Sequence, residues 1–171
     1  MGYYYNAMGA NNGEYQLHFP VSQYGAPFCF VGVECDEHEI IRINYLPESM
    51  RKLPAQNYLA KETAKQLRAY FAKPRNHRFD LPLRRAPTPH QRKVREVLRD
   101  VPFGEIIAYK EIARRIKSSA RAVGGACRCN LAVLVVPCHR VVAADGIGGF
   151  CGGENAIPAK RWLLNHEGVS L

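Results

Sequence analysis

The chain has 171 residues and a mass of 19.2 kDa, enough for one large domain or two small ones. Apolar residues make up 47% and charged residues 23%, which excludes disordered, collagen-like and low-complexity chains. The net charge of +9 lies almost entirely in residues 81–171, which carry 15 Lys and Arg against 7 Asp and Glu. This excess is consistent with a polyanionic partner, most often nucleic acid, and equally with a basic surface that has no partner.

The chain has no expected membrane segment or leader. Its longest apolar run, residues 131–136, is far shorter than the roughly 20 residues that span a bilayer. The first Lys or Arg is Arg42, so the basic start expected of a secretory or mitochondrial signal is missing. We therefore expect no membrane partner and a cytoplasmic protein, or a nuclear one in a eukaryote.

The six cysteines are predicted to be reduced thiols, because the chain is of middle size and lacks an export signal. Cys35 and His38 have the spacing of half a zinc site, with Cys29 and His90 as conceivable completions. Closed structural sites usually use two clean pairs of ligands, so no metal is predicted.

The first half of the chain is predicted to be a small sheet with a helix on it. Alternating and β-branched residues predict strands over 15–21, 27–34 and 40–45. Apolar residues at helical spacing predict a helix from Tyr58 to Ala72. Residues 1–80 would then form a supporting N-terminal domain. Residues 73–89 contain four prolines and four arginines and are predicted to be an extended, basic linker.

Three helices are predicted next. Thr88 can cap the first, which ends before Pro102. Apolar spacing predicts a second over 109–116 and a third over 120–129, joined by a short turn. Two short helices with a tight turn between them are typical of a helix-turn-helix, or of an ordinary packed pair.

Gly124 and Gly125 fall inside the third helix, where each costs on the order of 1 kcal/mol relative to alanine. Such a cost indicates that something approaches the backbone closely, either a neighbouring helix or a sugar-phosphate chain. Basic residues that could contact phosphates surround the two glycines: Arg114, Arg115, Lys117, Arg121 and Arg128.

Residues 132–136 are predicted to be a buried strand that ends at Pro137. The Cys138-His139 pair that follows is a candidate nucleophile and base, since the thiolate is the reactive form of cysteine. Adjacent residues on a strand point to opposite faces, so a turn after Pro137 is needed for both to share a site. Glu167 can orient His139 only if a C-terminal helix folds back.

Several linked motifs follow one another between about residues 88 and 168. They are Arg121-Ala122-Val123-Gly124-Gly125-Ala126, Asn130, Pro137-Cys138-His139-Arg140-Val141-Val142, Gly152-Gly153 and Lys160-Arg161-Trp162-Leu163-Leu164-Asn165-His166-Glu167-Gly168, with Phe103-Gly104-Glu105 and Tyr109 before them. Together they strongly resemble the O6-alkylguanine-DNA alkyltransferase family. Residues 1–80 resemble that family only in their strand pattern.

The resemblance implies a direct-reversal DNA repair protein that moves an alkyl group from O6-alkylguanine in double-stranded DNA to its own Cys138. His139 would take the thiol proton through a water molecule, and Glu167 would hold the imidazole tautomer. Asn130 would tie the turn before the active site. A thioether has no easy hydrolytic exit, so each molecule would act once. No cofactor is implied, and activity on O4-alkylthymine is left open.

The resemblance also implies how DNA is bound. The target nucleotide must leave the stack, at a cost of a few kcal/mol. Arg121 would fill the gap, and Tyr109 would crowd the target phosphate and donate a hydrogen bond to N3 of guanine. In this family the recognition helix lies in the minor groove, and Arg128 would contact phosphate. Small residues would permit that approach: Ala122, Gly124, Gly125 and Ala126. A monomer is expected, with cooperativity on DNA left open.

By the same resemblance, residues 148–153 would wall the base pocket. Backbone groups of Val141 and Cys151 would offer hydrogen bonds, and Phe150 would form an apolar lid. The family more often has tyrosine and serine in place of Phe150 and Cys151. The departure changes the polarity of the lid and puts a second thiol near Cys138, so a Cys138–Cys151 disulfide is a hypothesis.

The predicted fold class is α+β, with a small N-terminal antiparallel sheet and helix followed by a mostly helical domain over residues 88–171. That domain would hold the helix-turn-helix and the active-site loop. Two other functions stay open from the residues. A helix-turn-helix regulator or a non-transferring damage sensor would bind DNA, but such sensors lack the acceptor cysteine. A cysteine hydrolase using Cys138, His139 and Asn130 would leave the basic half unexplained.

Overall fold

Three antiparallel strands form the first sheet, in the order β1 (Leu17–Pro20), β2 (Phe30–Cys35) and β3 (Ile40–Leu46). The computed structural model describes residues 15–46, 48–49, 51–72, 77–151 and 156–171. The Asp36 side chain closes the turn between β2 and β3, because its Oδ1 accepts hydrogen bonds of 2.8 Å from the backbone of His38 and Glu39. The three predicted strands are confirmed, with small shifts of their ends.

One helix, α1 (Tyr58–Ala72), packs on this sheet and has the predicted bounds. Asn57 caps it by accepting a hydrogen bond of 2.8 Å from the backbone of the first turn. Tyr70 and Phe71 point into the core. The ring of Phe71 stacks on Phe19 of β1 with centroids 6.2 Å apart, so aromatic packing fixes the helix on the sheet.

The chain then crosses to its second half along the edge of β3. Ile40 N donates a hydrogen bond to Pro82 O at 2.7 Å, and Arg84 N donates to Ile40 O at 2.8 Å. The predicted extended segment is therefore confirmed around Leu83, while its residues 73–76 lie outside the described residues. The Arg84 side chain also pairs with carboxylates in the β2–β3 turn.

Three helices follow, namely α2 (Pro89–Arg99), α3 (Tyr109–Arg115) and α4 (Ala120–Arg128). Thr88 caps α2 as predicted, and it exchanges hydrogen bonds with Gln91 in a capping box. Ser119 caps α4, since its Oγ accepts a hydrogen bond from Ala122 N at 3.2 Å. Helices α3 and α4 pack on each other across a four-residue turn, so the helix-turn-helix is confirmed.

A second sheet was not predicted. Its strands β4 (Ile107–Ala108) and β5 (Val141–Val142) pair in parallel. Each has two residues, which is too short for a periodic pattern to be recognised in the sequence. The pairing holds the start of α3 beside the residues that follow Cys138.

One apolar core runs through both halves of the chain. It includes Val31, Leu67, Leu98 and, in the last helix α5 (Ile157–His166), Leu163, each no more than 1% exposed. The two units predicted from the sequence therefore share their core.

Among the helices that the structure describes, none has both the length and the apolar character that a bilayer span requires.

The strand predicted over residues 132–136 is wrong. Ala132 makes an isolated bridge to β3, and the chain then turns tightly, with Leu134 at a φ of 71°. Asn130 supplies the missing backbone partners, since its Oδ1 accepts from Ala132 N at 3.1 Å and its Nδ2 donates to Val136 O at 2.8 Å. A buried apolar segment whose backbone groups hydrogen-bond to a side chain has the same sequence pattern as a buried strand, so the sequence could not distinguish the two.

Candidate active site and nucleic-acid interface

A sharp turn presents Cys138. Pro137 has φ −80° and ψ 66°, and Cys138 N donates across it to Val136 O at 2.8 Å. Residues Cys138–Arg140 then form one 3-10 turn. Asn130 Nδ2 lies 3.2 Å from Cys138 Sγ, so the same amide that closes the preceding segment also contacts the thiol. The turn that the sequence required after Pro137 is therefore present.

Cys138 belongs to a pair of thiols, with its Sγ 4.0 Å from the Sγ of Cys151. The hydrogen bond from Cys151 lowers the pKa of Cys138, and Asn130 and Lys160 add to this effect against the opposing effect of burial. The same hydrogen bond, together with burial, raises the pKa of Cys151 well above its ordinary value. The Asn130 amide that contacts Cys138 favours this sulfur as the thiolate of the pair.

His139 lies beside Cys138 and is fully buried. Its Nε2 lies 2.7 Å from Oε1 of Glu167, and its Nδ1 is buried without a hydrogen-bond partner among the described residues. Burial lowers the pKa of His139 despite the neighbouring carboxylate, so the ring is neutral at neutral pH. Because ionised Glu167 can only accept, the proton sits on Nε2 and the free lone pair on Nδ1.

Glu167 is the centre of this network, at the C-terminal end of α5, which folds back as the sequence required. Besides His139, it accepts hydrogen bonds from Tyr70 Oη at 2.8 Å, from Arg140 Nε at 2.8 Å and from Gly104 N at 3.3 Å. Burial alone would raise the pKa of Glu167, but His139 and Arg140 outweigh burial and hold the pKa far below its usual range. The carboxylate therefore stays ionised in the interior.

Lys160 holds the loop that forms one wall of the site. Its Nζ donates to the carbonyl oxygens of Val141, Ile147 and Gly149 at 2.5, 2.6 and 2.8 Å. These acceptors satisfy all three protons of the ammonium group. Burial lowers the pKa of Lys160 to about 8. The side chain ties β5 to the loop and contributes positive charge near Cys138.

A cleft of about 590 Å³ opens above Cys138, between α4 on one side and the loop of residues 149–151 on the other. Its size is typical of a small-molecule pocket. The cleft brings together predicted site residues from four separate segments of the chain: Tyr109, Arg121, Gly124, Gly125, Arg128, Cys138, Phe150 and Cys151.

The outer face of α4 carries the predicted DNA contacts. Arg121, Ala122, Gly125 and Arg128 are exposed, and Gly124 is partly exposed. A Cβ added to Gly125 would meet nothing within 4 Å, and one on Gly124 would touch the described structure only at an ordinary 4.0 Å. No described neighbour requires either glycine. Of the two explanations that the sequence left open, this geometry favours close approach by an external molecule.

The basic residues around α4 divide into two groups. Arg114 and Arg115 pair with Glu111 at 2.9 and 2.8 Å, so that carboxylate offsets part of their charge. Arg121 and Arg128 make no ion pair within the described part of the chain. Both of these arginines line the cleft.

The remaining predicted pocket residues differ in their placement. Tyr109 Oη donates to Gly149 O at 3.2 Å across the cleft. Phe150 lines the cleft and packs on Tyr45 with ring centroids 6.0 Å apart. Val141 is fully buried and is not among the residues that line the cleft, and its backbone carbonyl oxygen accepts the hydrogen bond from Lys160. Gly152 and Gly153 lie outside the described residues.

Three residues of the site were not predicted from the sequence, namely Tyr70, Arg140 and Lys160. Arg140 and Lys160 stand in the motifs that carry the resemblance, and that position was the available signal. Tyr70 comes from the half that was expected only to give support, and no sequence pattern indicates its contact with Glu167. The Sγ of Cys35, one of the residues with zinc-ligand spacing, lies 3.5 Å from Asn57 Oδ1, and no metal-binding cluster occurs among the described residues.

Comparison with known proteins gives consistent matches. Residues 89–169 match the family model described as the DNA-binding domain of 6-O-methylguanine DNA methyltransferase. A methylated-DNA–protein-cysteine methyltransferase of Shigella flexneri is 36% identical over 136 residues, which cover 78% of this chain and 77% of that protein. A Thermus thermophilus protein named DNA base-flipping protein is 40% identical over 117 residues, covering 67% of this chain and 78% of its own.

The fold is also similar to a solved structure. The crystal structure of Mycobacterium tuberculosis OGT in complex with DNA superposes with a TM-score of 0.70 and 32% identity. The match covers 83% of this chain and 88% of that one, so it extends into the first half, where the sequence resemblance was confined to the strand pattern. The predicted α+β fold class is confirmed.

Proposed function

This chain belongs to the methylated-DNA–protein-cysteine methyltransferase family, and we propose that it repairs O6-alkylguanine in DNA by moving the alkyl group to its own Cys138. The observation that carries the assignment is the position of Cys138 at the floor of a cleft walled by the recognition helix α4. A base that enters this cleft beside α4 brings its substituent towards the thiol.

The transfer is a single displacement. The Cys138 sulfur attacks the alkyl carbon, an S–C bond forms, the C–O6 bond breaks, and its electron pair returns to the guanine, which takes up a proton. A lowered pKa increases the thiolate fraction of Cys138 at neutral pH. The product is a thioether, so the protein is consumed and each molecule acts once.

His139 acts as the base in this proposal. Its neutral ring and its free Nδ1 lone pair support this role, with the thiol proton passing to Nδ1 through a water molecule. Glu167 fixes the tautomer by accepting from Nε2 and stabilises the imidazolium that forms. Arg140 keeps Glu167 ionised when His139 is neutral.

DNA binding in this proposal relies on α4. The target nucleotide leaves the stack and enters the cleft, and Arg121 takes its place between the base pairs. Arg128 contacts phosphate, and the open space over Gly125 lets the backbone of the nucleic acid approach closely. These contacts carry little sequence information, which suits repair at any guanine.

The test is to mix the reduced protein with a duplex that carries one O6-methylguanine and to record the intact mass and a peptide map. The expected result is a gain of one methyl group per protein, located on Cys138. Cys138→Ser should abolish the gain and leave duplex affinity largely intact. Multiple turnovers, or methyl groups on other residues, would contradict the proposal.

The similarity to a DNA base-flipping protein supports a second candidate, a sensor that binds alkylated DNA without transfer. Cys138 in the cleft argues against it, because the resemblance implies that such sensors lack the acceptor thiol. Tight binding to the O6-methylguanine duplex with no change in mass would favour the sensor.

A further inference from the structure

Cys151 is a thiol that the proposed alkyl transfer does not consume. It lines the same cleft as Cys138, and the two sulfurs are 4.0 Å apart. Both are free thiols in the structure. A second thiol this close to a reactive one can form a disulfide with it.

We propose that Cys151 is a resolving thiol, which forms an intramolecular disulfide with Cys138 when the protein meets a peroxide. The disulfide stores the acceptor in a reducible form and blocks irreversible oxidation. The formation of the bond does not depend on the proposed function, whereas its consequence for repair rests on that function.

The geometry requires a modest movement. A disulfide has an S–S length of about 2.05 Å, so the sulfurs must approach by about 2 Å. Asn130 contacts the Cys138 sulfur itself, whereas Lys160 and Tyr109 anchor the loop at Gly149, two residues before Cys151. We therefore assign the movement to Cys151 rather than to Cys138.

The chemistry balances with one peroxide. The Cys138 thiolate attacks one oxygen of hydrogen peroxide, and the O–O bond breaks. Cys138 becomes a sulfenic acid, and the leaving hydroxide takes up the proton that the thiol lost and departs as water. The Cys151 sulfur then attacks the sulfenic sulfur, the S–S bond forms and the S–O bond breaks. The leaving hydroxide takes the Cys151 proton and leaves as water. The protein loses two hydrogen atoms overall.

Cys138 meets the conditions for the first step, since it lines the cleft and its pKa is lowered. Cys151 stays protonated until the sulfenic acid forms, because its pKa is raised. Cys127 also lines the cleft, but among the described residues only Cys151 has its sulfur within hydrogen-bonding distance of Cys138 Sγ. The pairing should therefore be specific to Cys151.

The experiment treats the reduced 171-residue protein with hydrogen peroxide and maps its tryptic peptides without reduction. Cys127, Cys138 and Cys151 fall in different tryptic peptides, which span residues 122–128, 129–140 and 141–160. The expected product is a link between the second and third, assigned to Cys138 rather than Cys129 by fragmentation. A thiol reductant should restore free Cys138 and, with it, the capacity of the sample to take a methyl group from DNA.

Matched variants separate the outcomes. Cys151→Ser should lose the link and accumulate sulfinic or sulfonic Cys138, which a thiol reductant does not reverse. Cys127→Ser should form the same link as the parent protein. Overoxidised Cys138 in the parent, a link to Cys127 or Cys129, or full reversibility in Cys151→Ser would each overturn the proposal. A protein that forms the link but takes no methyl group from DNA would contradict the proposed function and leave the disulfide in place.

Discussion

The hydroxyl of Tyr70 donates a hydrogen bond of 2.8 Å to Oε1 of Glu167, and so joins a helix of the first half to the carboxylate that orients His139. The phenol is fully buried. Burial and the adjacent carboxylate raise its pKa well above the ordinary value, so Tyr70 always acts as donor. The first half of the chain thus contributes directly to the electrostatics of the site.

Tyr70→Phe should therefore affect both stability and reactivity. A hydrogen bond to a charged group contributes about 1.5–3 kcal/mol, and we expect a loss of that order in chemical denaturation. Without the phenol, Glu167 accepts more strongly from His139 and raises the pKa of His139. Because His139 must be neutral to act as the base, the low-pH limb of the transfer rate should move to higher pH. Tyr58→Phe, on the exposed face of the same helix, is the control. An unmoved limb would limit Tyr70 to a structural role.

Glu167→Gln should reduce the transfer rate by about 100-fold or more, the usual contribution of a positioned base. The amide can donate to Nε2 of His139 and so favour the wrong tautomer. It also leaves Arg140 without a counter-charge, which costs about 3–5 kcal/mol for a buried pair.

Single-turnover rates on an O6-methylguanine duplex measure this loss, and duplex affinity should change little. Glu105→Gln, an exposed carboxylate outside the network, serves as the control. A Glu167→Gln protein that is folded and as fast as the parent would show that Glu167 does not orient the base.

Arg121→Ala should slow transfer from duplex DNA much more than transfer from free O6-benzylguanine, because only the duplex requires extrusion of the base. Arg128→Ala is the matched comparison. It should weaken duplex binding and reduce by about 1 the slope of the logarithm of the binding constant against the logarithm of the salt concentration. Equal losses on the two substrates for Arg121→Ala would argue against the extrusion role.

Gly125→Ala should stabilise the free protein and weaken its action on DNA. The added Cβ meets nothing in the described structure, and alanine is favoured over glycine in a helix by about 1 kcal/mol. The same methyl group would stand in the path of the DNA backbone. Thermal denaturation and duplex affinity measure the two effects, and a variant that is more stable and binds duplex as well as the parent would show that α4 does not approach DNA at Gly125.

The pH dependence of transfer should report the thiol pair. The hydrogen bond from Cys151 lowers the pKa of Cys138, so the thiolate persists to lower pH and the rate rises with pH through that pKa. Cys151→Ala removes the donor and should move this limb to higher pH, whereas Cys151→Ser keeps a donor and should move it less. Rates on free O6-benzylguanine measure the shift without the complication of DNA binding. Coincident profiles for both variants and the parent would mean that Cys151 does not tune Cys138.

Local patterns in the sequence determined much of the fold. Helix α1, the Thr88 cap and the two helices around Ser119 were predictable because caps, turns and apolar spacing act within a few residues. The acceptor thiol and its neighbour His139 were singled out by adjacency and by the motifs around them.

Tertiary structure alone decided how these pieces meet. The segment after Asn130 has the apolar sequence of a strand, but the Asn130 side-chain amide takes the place of strand-to-strand hydrogen bonds. The segment therefore turns towards Cys138. Strands β4 and β5 are too short to leave a pattern. The contact of Tyr70 with Glu167 spans 97 residues, and such pairings depend on how the whole core packs rather than on any local period. Likewise, the 4.0 Å between Cys138 and Cys151 follows from the loop that Lys160 holds in place, a constraint that no spacing in the sequence records.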